Sequence, residues 1–256
     1  MTNEPALVQQ EVSRRSTQLG FVTCATDASV LARRLLASPC IASGEYMLDV
    51  HIGATSAAQA FNVAVARRPQ PEWLVWVHQD VYLPPGWDTR FLSAIREAEL
   101  RFSRLAVVGL YGIAGAGAQA LRAGHVLDRG FLLHEPIPLP CRVDSLDELL
   151  FAVRTDTCLT LDPALGFDFY ATDLALTALG RGLDVAVVDA CCEHWSTTPR
   201  TDVPGRVVDR VSASGALFER KWARQLPLDT PCFSIRQIGD VATQCRAIAA
   251  ADVRGA

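Results

Sequence analysis

The stretch that most restricts how this chain can fold is Trp73 to Leu83, which reads WLVWVHQDVYL. Trp73, Leu74, Val75, Trp76 and Val77 form an unbroken run of aromatic and branched residues, the composition of a strand covered on both faces. Three polar side chains follow at once: His78, Gln79 and Asp80. Pro84, Pro85 and Gly86 then stop regular structure. A covered strand of this kind belongs to an α/β sheet, and open α/β sheets hold ligands beyond the carboxyl ends of their strands. Asp80 is therefore read as the centre of a site.

The neighbouring sequence supports that sheet. Gly20 to Ala25 (GFVTCA) reads as a first strand, and Asp27 can cap a helix through Val30, Leu31, Leu35 and Leu36 that Pro39 ends. Tyr46 to Ile52 reads as a second strand. Thr55 or Ser56 then caps a helix through Ala60, Phe61, Val63, Ala64 and Val65. Strand, helix, strand, helix, strand predicts βαβ units and a mostly parallel sheet whose strand ends share one crevice. Further on, Asp88 to Leu100 reads as a helix, Leu105 to Tyr111 as a strand and Gly124 to His134 as a hairpin. Val143 to Thr155 fits either a strand or a helix start. A helix is expected from about Thr172 and a strand over Leu183 to Asp189. Residues 197–210 read as a loop, and Ala213 to Gln225 as an amphipathic helix. The organisation expected is an N-terminal arm over 1–18, a catalytic domain over 19–200, and a C-terminal loop and helix over 201–256 packed on that domain as a lid.

Composition narrows the function. The chain has 256 residues, 50% hydrophobic and 20% charged, enough for one large core. The formal net charge of -4 gives no electrostatic footprint for nucleic acid. No CxxC pair occurs among the eight cysteines, which read as reduced thiols of a cytoplasmic protein. MTNEPALVQQEVSRRS lacks the apolar core of a signal peptide, and glycines break the one long apolar run, Leu105 to Leu121, so no transmembrane segment is expected.

Three groups of residues can carry chemistry. His78 and Asp80, one residue apart after a strand, project to the same side if the strand continues. With solvent, they can hold a divalent cation beside a diphosphate. A carboxylate in such a place is also a common helix cap. His194, in CCEHWS, follows another apolar strand. In GFDFYATDLAL, Asp168, Tyr170 and Asp173 enter a helix, where Asp173 can cap the helix or serve as a general base. Asp144, Asp147 and Glu148 precede an apolar run. Arg220 and Lys221 can close over a diphosphate, and equally form a solvated helix face.

HQDVYLP, LDELLFAVR, LDPALGFDFYATDLAL and CEHWS occur in an order and at spacings that resemble family-2-like glycosyltransferases of the GT-A fold, in the bacterial StrF-type branch. The resemblance covers about residues 20 to 200. It implies an α/β nucleotide-diphospho-sugar transferase fold with a mostly parallel central sheet flanked by helices. The activity implied is transfer of a sugar from a nucleotide-diphosphate donor to a hydroxyl acceptor, with inversion, using Mn or Mg. In that family Asp80 would coordinate the metal, His194 would complete its shell, and His78 and Gln79 would lie at the donor. Thr23, Ala25 and Asp49 would line the nucleotide base and Asn62 would lie at the diphosphate, although Phe61 replaces an expected Arg. Asp173 would be the general base. Asp147, Glu148, Asp168, Tyr170 and Trp195 would contact donor and acceptor sugars. FERKW, ending at Trp222, only loosely matches the motif of processive members. A non-catalytic carbohydrate- or partner-binding member, and a nucleotidyltransferase, are the alternatives; a homodimer is left open.

Overall fold

The computed structural model describes residues 17–67, 70–196 and 203–254. Three parallel strands open the fold: β1 (Leu19–Ala25), β2 (Met47–Ile52) and β3 (Trp73–Val77), with β1 in the middle. Asp27 caps α1 (Ala28–Arg33) by accepting from the Ser29 and Val30 amides at 2.8 and 3.0 Å. That helix ends at Arg34. Pro39, expected to stop a helix, instead opens the short α2 (Pro39–Ala42) at its first position, where a missing N–H costs nothing. Ser56, not Thr55, caps α3 (Ala57–Ala66), accepting from Gln59 N at 3.0 Å.

After β3 come β4 (Val81–Tyr82), α4 (Trp87–Arg101) and β5 (Leu105–Gly109). The expected single strand over Leu105 to Tyr111 divides here. The chain leaves the first sheet after Gly109 and enters a second as β6 (Tyr111–Ala114), followed by β7 (Leu121–Asp128) and β8 (Phe131–His134). Glycine permits the crossing: a Cβ on Gly124, at φ 103°, would lie 2.1 Å from the Leu110 carbonyl oxygen, and one on Gly112 2.4 Å from that of Ser145. Two short strands follow, β9 (Cys141–Arg142) and β10 (Ser145–Leu146), and then β11 (Leu150–Arg154). The ambiguous stretch thus resolves into strand. β11 runs antiparallel between β3 and β5, pairing Leu150 with Val77 and Val153 with Val107.

The chain continues with α5 (Tyr170–Gly180), β12 (Asp184–Val187) and β13 (Glu193–His194), then α6 (Gly205–Lys221), β14 (Leu228–Asp229), β15 (Ser234–Ile235) and α7 (Asp240–Arg254). Helix α6 begins eight residues before the expected Ala213. Its first turns read as loop from their Pro, Asp and Arg content, yet Val207, Val208 and Val211 already follow helical spacing. The first six residues of the expected 197–210 loop, 197–202, and nearly all of the expected arm, 1–16, lie outside the described residues.

The result is a mixed α/β architecture with a large central sheet and flanking helices. The sheet order is β2-β1-β3-β11-β5-β12-β9, with β11 and β9 antiparallel to their neighbours. Strand alternation sorts the core into two layers. Trp73, Val75 and Val77 pack with Trp87, Phe91 and Ile95 of α4 on one face. Leu74 and Trp76 pack with Phe61 of α3 and with Tyr170 and Leu174 of α5 on the other. Each buried side chain of this size contributes about 1.5–3 kcal/mol. A third cluster, including Phe169, Leu176, Phe218, Ile235 and Val241, joins the C-terminal helices and hairpin to α5. No helix among the described residues is long and apolar enough to cross a membrane.

Candidate active site

His78 stands at the end of β3, with its backbone N–H bonded to the Leu149 carbonyl at 2.9 Å. The strand does not continue through Asp80 as alternation assumed. The chain turns, with Val81 N donating to the His78 carbonyl at 3.2 Å, and the turn itself brings the two side chains to one side. His78 Nδ1 lies 4.0 Å from Asp80 Oδ1. His194 arrives from β13, which pairs with both β4 and β7, and its Nε2 lies 3.6 Å from the same Asp80 oxygen. One ligand atom from each of His78, Asp80 and His194 falls within 4.8 Å of the others.

Each imidazole is held by its other nitrogen. His194 Nδ1 pairs with Asp128 Oδ1 at 2.9 Å, and His78 Nε2 pairs with the Tyr170 hydroxyl at 2.8 Å. Trp76 Nε1 donates to that hydroxyl at 3.1 Å, and the hydroxyl reaches the Glu148 carbonyl at 3.4 Å. With the hydroxyl donating to Glu148, His78 donates from Nε2 and leaves a lone pair on Nδ1, facing Asp80. Burial, aided by His194 and opposed by Asp80, holds the His78 pKa below its ordinary value, which favours the neutral, ligating form. Asp80 Oδ1 is buried and has no hydrogen-bond partner among the described residues. A buried carboxylate oxygen without a donor is costly, and two imidazole lone pairs beside it supply none. A divalent cation satisfies all three atoms at once, and outer partners of the Asp128 and Tyr170 kind are what oriented metal ligands carry.

Two cavities adjoin this cluster. One, of about 300 Å³, is lined by His78, Asp147, Glu148, Asp168, Phe169 and Phe233 among others. The second, of about 460 Å³, is lined by Tyr111, Arg122, Asp128, Arg129 and His194. Asp147, Pro231 and Cys232 line both. In the first, Glu148 Oε1 is buried without a hydrogen-bond partner among the described residues. Burial, reinforced by Asp168 and Asp147, pushes the Glu148 carboxyl well above the usual range. Asp168 is tied down by Arg210, through two bonds of 3.0 and 2.9 Å, and by Ser214 at 3.2 Å. Between Asp168 and Tyr170, Phe169 adopts φ 64°, a left-handed conformation that turns its ring into the cavity wall.

The other residues singled out in the sequence have the following partners. The expected general base, Asp173, does not line the cavity with Glu148. It is 2% exposed, with Oδ1 2.8 Å from Lys221 Nζ and 2.8 Å from Trp222 Nε1. Helix α6 therefore takes this carboxylate. Lys221 also binds Asp162 at 2.7 Å, which commits it to a structural bridge. Gln79 ties β3 to the loop after β1, accepting from the Thr26 and Asp27 amides at 2.9 and 3.1 Å. Asn62 bonds the Leu161 backbone through both ends of its amide, at 2.9 Å each. Asp49 pairs with Arg67 and keeps Oδ2 buried without a hydrogen-bond partner among the described residues. Thr23 and Ala25 are buried in β1. Trp195 donates from its backbone to the Asp80 carbonyl at 2.9 Å, bonds Glu193, and lies under the Arg34 guanidinium at 4.2 Å.

Asp128 and Arg129 were not foreseen. Their place in the site comes from the parallel pairing of β13 with β7, which sets His194 opposite Asp128. The alternating hairpin they belong to was visible, but not its neighbour.

No family model matches the chain, and no curated protein matches it. Among solved structures it is similar to a mannosyltransferase from Pyrobaculum calidifontis, PcManGT, in complex with GDP-Man and Mn2+. That likeness has 10% identity and a TM-score of 0.49 over 98% of this chain and 83% of the other. It is also similar to GalNAc-T7 with UDP, GalNAc and Mn2+, at 10% identity and a TM-score of 0.48, over 91% of this chain and 54% of the other. A third is S. aureus TarS, at 12% identity and a TM-score of 0.42, over 83% of this chain and 75% of the other. Likenesses this distant assign neither substrate nor metal to this chain.

Proposed function

We propose that the chain is a metal-dependent glycosyltransferase that moves a sugar from a nucleotide-diphosphate donor to a hydroxyl acceptor with inversion. The observation that carries this reading is the meeting of His78, Asp80 and His194 around a buried, unbonded carboxylate oxygen, beside a cavity that holds a carboxyl of raised pKa. The sheet order and the strand-end position of the cluster agree with the GT-A resemblance of the sequence. Two imidazoles with one carboxylate favour Mn over Mg, which prefers oxygen shells. A divalent cation held by His78, Asp80 and His194 would supply positive charge to a diphosphate leaving group.

The chain's own residues do the rest. Asp128 and Tyr170 fix the two imidazoles. Glu148 accepts the proton of the acceptor hydroxyl as that oxygen bonds to the anomeric carbon, and the electron pair of the breaking carbon–oxygen bond leaves on the diphosphate. A base whose pKa lies above the ordinary carboxylate value is the stronger for it. Phe169 and Phe233 offer ring faces to a sugar, and Asp147 is placed to accept from its hydroxyls. With Glu148 in one cavity and His194 in the other, the arrangement suits a single displacement. Eight unpaired cysteines suit the reducing cytoplasm.

The test is a thermal-shift screen of UDP-, GDP- and dTDP-sugars with and without Mn. A ligand at 100 times its dissociation constant stabilises by ~2.7 kcal/mol, and Asp80→Ala should remove the Mn-dependent part while the apo melting temperature stays near wild type. No response of the wild type to any donor with Mn, or an undiminished response in Asp80→Ala, refutes the reading.

A further inference from the structure

We infer that Arg129 is an anion-binding residue whose guanidinium receives the leaving diphosphate in the second cavity; the inference rests on the metal-binding reading of His78, Asp80 and His194. Arg129 and Gly130 are the two central residues of the turn between β7 and β8, and both have positive φ, 51° and 83°. Such a turn is built best from Asn-Gly or Gly-Gly, and an arginine in its first place is strained. The turn is also pinned to the metal-ligating strand, since Arg129 N donates to the His194 carbonyl at 2.8 Å.

Among the described residues, Arg129 Nε is buried with no hydrogen-bond partner. The acid beside it, Asp128 Oδ1, is 3.8 Å away, and that oxygen is already bonded to His194 Nδ1 at 2.9 Å. A buried guanidinium N–H left unbonded carries a cost that the turn does not require, because a residue better suited to the backbone would avoid it. Arg122, on the same cavity wall, is bonded to the Pro231 carbonyl through both terminal nitrogens at 3.1 and 3.2 Å. Arg129 therefore brings a donor to the cavity that Arg122 has already spent.

The chemistry of the wall selects the ligand. Asp128 and Asp147 on the wall repel any anion, so an anion held there must engage two positive partners at once. A diphosphate has enough oxygens to reach a cation at His194 and a guanidinium at Arg129 together, and the planar fork of arginine matches two phosphate oxygens.

The experiment uses the full chain, with inorganic pyrophosphate as the probe and isothermal calorimetry as the readout. Mn is titrated first, and pyrophosphate is then titrated into the Mn-loaded protein, for wild type, Arg129→Lys and Arg129→Asn. Asparagine suits the left-handed turn, so Arg129→Asn should melt no lower than wild type and bind Mn within twofold of it. Its pyrophosphate affinity should fall at least tenfold, with Arg129→Lys between the two. An Arg129→Asn protein that binds pyrophosphate like wild type overturns the assignment, and so does one that loses melting temperature and Mn together, which makes Arg129 structural. A wild type that binds no Mn overturns the metal reading itself.

Discussion

Asp173, a candidate base in the sequence, is held by Lys221 and Trp222, and Asp173→Asn tests which role it has. The substitution keeps shape and leaves an oxygen for Trp222 Nε1, now 2.8 Å from Oδ1, but removes the charge that faces Lys221 Nζ at 2.8 and 3.0 Å. Hydrogen bonds to charged groups contribute about 1.5–3 kcal/mol. Two features reduce the loss. Lys221 keeps Asp162 at 2.7 Å, so no ammonium is orphaned. Burial also raises the Asp173 carboxyl pKa against the pull of Lys221 and Trp222, a penalty on the ionised form that an amide does not carry. The net cost is ~1–2 kcal/mol, which for a domain of this size lowers the melting temperature by ~2–8 °C. Burial pulls the Lys221 ammonium down, but Asp162 and Asp173 together hold it above its ordinary pKa. The Lys221 share of the wild-type advantage is thus present at neutral pH and fades as pH rises through that raised value. The raised Asp173 pKa, by contrast, already takes stability away as pH rises from the ordinary carboxylate value through the raised one. Lys221→Met, which strands a carboxylate at 2% exposure, should cost more than Asp173→Asn. Differential scanning calorimetry gives the stabilities, and initial rates at 25 °C give turnover, which should stay close to wild type in Asp173→Asn. A loss of ~10²–10⁴ in kcat with an unchanged melting temperature would place Asp173 in the chemistry and refute the structural account.

Glu148→Gln should show the reverse pattern, losing ~10²–10⁴ in kcat. Burial, Asp168 and Asp147 raise its folded pKa, so the folded state is penalised as pH rises from the ordinary glutamate value through the raised one. Melting curves taken across pH should therefore show Glu148→Gln gaining on wild type in that direction; a gap that does not move with pH counts against the buried, unbonded carboxyl. Asp128→Asn removes the carboxylate that orients His194 and should weaken Mn binding by ~10–100-fold with the fold intact, measured by calorimetry; equal Mn affinity would show that the pair is incidental.

The first three strands were legible because Leu19–Ala25, Met47–Ile52 and Trp73–Val77 are bounded by turn formers and separated by capped helices. The His78–Asp80–His194 cluster was legible for a related reason: polar side chains placed directly after apolar strands have few places to go but a strand-end crevice. What stayed hidden depends on partners distant in sequence. LDELLFAVR is too short for its period to decide between helix and strand, and its antiparallel insertion follows from the edges that β3 and β5 offer it. Asp173 sits in a first helical turn whether it faces a cavity or a lysine, and only the docking of α6 decides. Asp128 belongs to the site through a two-residue strand pairing with residues 66 positions away, too brief to leave a pattern.

The hairpin of β14 and β15 meets both cavities only through its tip, Thr230 to Phe233. Its base is fastened separately. Asp229 binds Arg236 through two bonds of 3.0 Å and takes the Gly117 amide at 2.6 Å. The side chains that fasten the base thus differ from those that line the cavities. Arg122 holds the tip only through the Pro231 carbonyl, a contact that does not depend on side-chain identity. Libraries that vary the side chains of 230–233 therefore test whether this tip is an exchangeable part, with the sheet-borne carboxyl and the histidine pair left as fixed tooling.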